Sequence, residues 1–147
     1  MFAPDETTGR RKNWGVVYGL LALMGMFVLI PAFSPKSLNT NFILTLMWGI
    51  GMVAGYGTSS VAAFIDKKFV WIENSASWLG NAGLSVYVIT LVQSVLIDGA
   101  LGKTPQTLGY IALLVIMVSR SFRLQRHLRM VRRLKEIVRI AHRNDVD

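Results

Sequence analysis

The 147-residue chain carries 16 Lys and Arg against 8 Asp and Glu, a formal charge of +8, and is 52% hydrophobic with no cysteine. Soluble domains stay nearer about 45–50% apolar and spread their charges along the chain, whereas residues 14–33, 41–65 and 78–97 here hold no Asp, Glu, Lys, Arg or His. That segregation argues against a soluble domain, and the lack of cysteine excludes a disulfide framework, a thiolate metal site and a dithiol redox motif.

In chain order, residues 1–13 are expected to form a polar cytoplasmic segment, with Asp5 and Glu6 ahead of Arg10, Arg11 and Lys12. A first span over about 14–33 follows. Its apolar run is longer than the core of a secretory signal, and Ala32-Phe33-Ser34 followed by Pro35 is a poor cleavage site, so an uncleaved helix is expected. Pro31 and Pro35 should stop it. Ser34, Lys36, Ser37 and Asn39 then suit a short exterior turn. The second span, about 41–65, ends at Asp66-Lys67-Lys68. Residues 69–72 are aromatic and apolar, fit to lie at headgroup level before Asn74 or Ser75 caps the third span, about 78–97. A helix rises 1.5 Å per residue, so each uncharged run is long enough to cross about 30 Å of hydrocarbon.

The fourth span, about 106–122, is less plainly written, because only residues 108–118 are uncharged. Pro105 suits a first helical turn, and Arg120 and Arg123 can snorkel toward the headgroups. A re-entrant or surface segment is the alternative, and it would put the C-terminus outside. With four spans, Arg10, Arg11, Lys12, Lys67, Lys68 and the whole tail share one side, and only Lys36 and Lys103 fall on the other. Short cation-rich segments stay cytoplasmic, so both termini are expected inside, at the cytoplasmic (inner) membrane of the cell.

Residues 123–147 form a basic tail. At helical spacing, Leu124, Leu128, Met130, Val131, Leu134, Ile137, Val138 and Ala141 share one broad face, opposite Arg126, Arg129, Arg132, Arg133, Arg139 and Arg143. Glu136 can pair with Arg132, Arg133 or Arg139. Arg120, Arg123 and Lys135 complete a set suited to lipid headgroups or a partner protein. Such a helix can lie on anionic lipid, self-associate into a cytoplasmic bundle, or bind nucleic acid without sequence preference; no aromatic or groove-reading motif accompanies the cations, which makes nucleic acid the least favoured. A solvated positive-inside anchor would read the same way.

Small residues at close-packing spacing are candidates for helix contacts: Gly15 and Gly19 in the first span, Gly51, Gly55 and Ser59 in the second. In the third, Ser77, Asn81 and Ser85 line one face, offering hydrogen bonds toward Ser59 and Ser60. No ionisable group falls within the three uncharged spans, so the proton relays and ion couplers of transporters have no candidate there. His127 and His142 are too far apart for a helical metal pair, and no phosphate loop, nucleophile–base pair or carboxylate pair is present. No catalytic, metal or cofactor residue is therefore assigned, and a non-enzymatic role is expected.

The segment Trp71-Ile72-Glu73-Asn74-Ser75-Ala76-Ser77-Trp78-Leu79, running into Gly83-Leu84-Ser85-Val86-Tyr87, together with the arginine-rich end, resembles small multi-pass membrane proteins of actinobacterial tailed phages. Several of those are regarded as holin-like. The resemblance implies a role in permeabilising a host inner membrane. The expected fold is all-α and membrane-embedded, a bundle of four helices with the last extended into the tail. The expected function is an oligomeric, bilayer-perturbing protein, with a membrane anchor or accessory subunit that recruits a partner through its tail as the alternative.

Overall fold

The computed structural model describes residues 8–30, 42–65 and 69–144. They form four helices, α1 (Thr8–Leu29), α2 (Phe42–Ile65), α3 (Val70–Leu96) and α4 (Thr104–Asn144), with a 3₁₀ turn over Leu101–Lys103 leading into α4. The all-helical class expected from the sequence holds. Three stretches, Arg11–Leu29, Val70–Leu96 and Leu101–Ile137, are long and apolar enough to cross a membrane, as befits a membrane protein. The 24 residues of α2 carry no charged side chain. The expected polar N-terminus over residues 1–7, the proline stops, the exterior turn and Asp66-Lys67-Lys68 lie outside the described residues.

Two helix boundaries differ from the expected ones for a physical reason. α1 begins at Thr8, drawing Arg11 and Lys12 into the helix, although cations in a first turn oppose the macrodipole. α3 begins at Val70, and Phe69 caps it without a side-chain hydrogen bond, so neither Asn74 nor Ser75 is the cap. α4 runs unbroken for 41 residues, about 60 Å at 1.5 Å per residue, so the fourth helix extends into the tail as expected. The first two extensions carry Arg11 and Glu73 to each other, and their ion pair offsets the local cost of each start.

The helices alternate in direction. α2 lies between α1 and α3, while α4 packs on α3. Glycine sets the approach of α2 and α3: a Cβ at Gly55 would collide with the backbone of Gly80, and one at Gly51 would come within 3.0 Å of Gly83 Cα. On the other side, a Cβ at Gly15 would press the Phe64 ring at 2.8 Å, one at Gly19 would meet Ser60 Oγ at 3.3 Å, and one at Gly25 would crowd Met52 Cβ at 2.8 Å. Between these seams sits a core of Tyr18, Leu21, Trp48, Met52, Tyr56, Leu84, Tyr87, Leu91 and Met117. Beyond α3, Gly99 takes a φ of 65°, a left-handed conformation that a side chain would resist, and turns the chain into α4.

Candidate functional site

The most deeply buried charges lie at the end of the bundle where α1 and α3 begin, called here the near end. Glu73, in the first turn of α3, is fully buried. Its Oε2 accepts from Arg11 Nε at 3.0 Å and its Oε1 accepts from Arg120 Nη2 at 3.1 Å. Arg11 also donates through Nη2 to the carbonyl of Ala62 at 2.8 Å, in the last turn of α2, where carbonyls lack helical partners. A carboxylate at the start of α3 and a cation at the end of α2 both complement the helix dipoles. Ser59 Oγ lies 2.8 Å from Gly55 O and 3.2 Å from Glu73 O, and the Arg120 guanidinium sits 5.1 Å from the Trp14 ring centre, in cation–π range. One carboxylate thus ties α1, α3 and α4 together, with α2 held through Arg11.

A layer of neutral hydrogen bonds lies next to the bridge, toward the middle of the bundle. Ser121 Oγ and Ser77 Oγ are 2.8 Å apart, Asn81 Nδ2 donates to Ser121 Oγ at 3.0 Å, and Tyr56 Oη donates to Asn81 Oδ1 at 2.8 Å. Ser77, Asn81 and Ser85 were expected to turn toward Ser59 and Ser60. Instead Ser77 and Asn81 serve α4 through Ser121, Ser85 bonds back to Asn81 O at 2.8 Å, and Ser60 donates to Gly15 O at 2.8 Å. The reason is angular: the face of α3 turned to α2 is the Gly80 and Gly83 face, leaving the Ser77 hydroxyl and the Asn81 amide nitrogen to meet α4.

The three uncharged runs hold no Asp, Glu, Lys, Arg or His, but the apolar stretches of the structure reach beyond them and take in Arg11, Glu73 and Arg120, which are almost wholly buried. Arg120, expected at the headgroups, is 1% exposed. Glu73 had been placed in a segment ahead of the third helix, yet it stands one turn before Ser77 and two before Asn81, a polar stripe at i, i+4 and i+8 that marks an inward face. Likewise Arg120 and Ser121 lie between Met117 and Leu124 at core spacing.

The rest of the cationic set behaves differently. Arg123, Arg126, Arg129, Arg132, Arg133, Lys135 and Arg139 are exposed, and Glu136 forms no ion pair among the described residues. The side chains of Val138, Ala141, His142 and Arg143 lie outside the described set. Among the described side chains Leu124 is the last buried one of α4; past it Leu128 and Val131 are half-buried, while Met130, Leu134 and Ile137 are exposed. The tail therefore leaves the bundle as a free helix with a bare apolar stripe. Both oxygens of Glu73 are engaged by arginine, and among the described residues no group of three His, Cys, Asp or Glu could hold a metal. Chemically the bridge is a fastening between helices. No family model matches this chain, and no curated protein or solved structure matches it.

Proposed function

We propose that this protein is a non-enzymatic, four-span component of the cytoplasmic membrane, with both termini inside, that anchors its basic C-terminal helix for a partner protein. The observation that carries this reading is the continuity of α4. A helix fixed by Glu73 at Arg120 and unbroken to Asn144 extends about 30 Å past Leu124, the last residue described as buried on it, without folding back on the bundle. Met130, Leu134 and Ile137 are then presented to the cytoplasm beside arginines that favour an acidic partner. The distribution of Lys and Arg supports the orientation.

A second reading, an oligomeric holin-like protein that permeabilises the bilayer, is favoured by one feature. Gly109 lies on an exposed face of α4 with nothing within 4 Å of a Cβ there, beside exposed Leu108 and Ile116, a notch at which a second copy could approach closely. Conditional expression in a bacterium, with membrane potential followed by a dye, separates the two. The anchor reading expects the potential to hold; its collapse on expression, before growth stops, overturns the anchor in favour of permeabilisation. Reporter fusions after Lys67 and Asp147 should read cytoplasmic and one at Lys103 exterior.

A further inference from the structure

We propose that the end of the bundle opposite the Glu73 bridge holds one acyl chain of an anionic phospholipid in a groove between α1 and α4. These two helices flank the α2–α3 pair and meet through side chains alone. At the near end Arg120 reaches across to Trp14 and shares Glu73 with Arg11, which closes the gap. Further along, Tyr110 Oη lies 3.8 Å from Met24 Sδ, and beyond that contact no ion pair joins α1 to α4 among the described residues.

What opens there is a cavity of about 370 Å³, walled by Leu20, Leu23 and Phe27 of α1, floored by Trp48 and Tyr87, and edged by Gln106. The size falls in the range of small-molecule sites. Leu20 is 62% exposed, and Leu23 and Phe27 are each 46% exposed, on a helix apolar enough to span a membrane. The medium meeting that wall is hydrocarbon, so the occupant is drawn from the bilayer. The floor is rigid: Trp48 and Tyr87 stack on each other with centres 3.9 Å apart and planes 3° apart, which holds the base of the groove in place beneath an apolar chain.

The polar groups at this end define the rest of the ligand. Trp48 Nε1 is buried with no acceptor among the described residues, and Gln106 spends an Nε2 hydrogen on Tyr87 Oη at 3.1 Å. Lys103, three residues ahead of Gln106, uses one ammonium hydrogen on Ser94 Oγ at 2.9 Å, and two remain. A cation three residues beyond the groove's polar edge, an unpartnered N–H on a residue of its floor and apolar walls match a lipid phosphate, a glycerol ester oxygen and an acyl chain respectively.

The test uses the full-length chain in nanodiscs, with Trp14, Trp71 and Trp78 changed to Phe so that Trp48 alone fluoresces. Phosphatidylglycerol brominated along its acyl chains should quench Trp48 at about fivefold lower mole fraction than brominated phosphatidylcholine, the preference that roughly 1 kcal/mol per lysine beside an anionic headgroup confers. Lys103→Gln should equalise the two lipids, and Leu23→Phe, which fills the groove, should reduce both to weak quenching. Equal quenching by both lipids in the parent protein, or quenching indifferent to Leu23→Phe, overturns the proposal. Trp48 shielded from either lipid in a dimer would give the groove to a second copy and overturn it as well. Should the tryptophan replacements prevent folding, mass spectrometry of the unaltered chain released from mixed-lipid nanodiscs decides: retained phosphatidylglycerol that Lys103→Gln abolishes supports the site, and lipid-free protein refutes it.

Discussion

The two ends of the bundle solve the same packing problem with opposite chemistry. At the near end a carboxylate and two guanidinium groups are withdrawn from water and made to satisfy one another, with Ala62 O and the Trp14 ring absorbing the excess positive charge. At the far end no charge is buried among the described residues: Trp48 stacks on Tyr87, and Tyr110 meets Tyr87 edge-on with ring centres 4.8 Å apart. The near end is thus closed by partners that tolerate no substitute. The far end is held by shape, which tolerates a gap beside it. Burying an ion pair gives little net stability, but removing one member of it is expensive, so the ends should differ sharply in their response to a single lost group.

The largest effect is expected for Glu73→Gln. The shape is nearly retained, yet Arg11 and Arg120 stay buried without a counter-charge, and a loss of about 3–5 kcal/mol is expected. Unfolding in mixed micelles by SDS titration, followed by circular dichroism, measures it. A loss no larger than that of a neutral hydrogen bond would show that the near end is not held by charge. Next is Gly55→Ala, in the seam both ends share, where one methyl meets the Gly80 backbone; about 1–3 kcal/mol should be lost by overpacking, and the same titration reads it. Unchanged stability would mean that α2 and α3 slide freely. The smallest effect belongs to the far end, where Tyr87→Phe keeps the stack and forfeits the hydroxyl contacts with Gln106 and Tyr110. About 0.5–1.5 kcal/mol is expected, by the same measure. A larger loss would mean that the far end also depends on polar pairing.

The positions of the helices were legible in the sequence because an uncharged run of about 20 residues has few other uses, and α2 was located to within one residue at its start. The tail was legible too, since its cations and its apolar residues separate at helical period. The bridge was not. Runs defined by the absence of charge end at the first charged residue, so Arg11 and Glu73 were assigned to flanking segments although each belongs to the adjoining helix. The small-residue stripe at Gly51, Gly55 and Ser59 stands out in the sequence, whereas its counterpart at Gly80 and Gly83, only three residues apart, is obscured by the polar face of α3. That face was visible, but which neighbour it served depended on a rotation of α3 that no local pattern specifies.

The bridge draws its partners from the first and last helices of the chain, which has a consequence for synthesis. A chain emerging from the ribosome delivers Arg11, then Glu73, and only at the end Arg120. Until α4 arrives, Glu73 has one partner, while Ser77 and Asn81 face lipid or water with nothing to bond on that side. Arrival of Arg120 and Ser121 gives Glu73 its second guanidinium and gives Ser77 and Asn81 their partner on α4 in one step, so the near end is fastened last, by two adjacent residues.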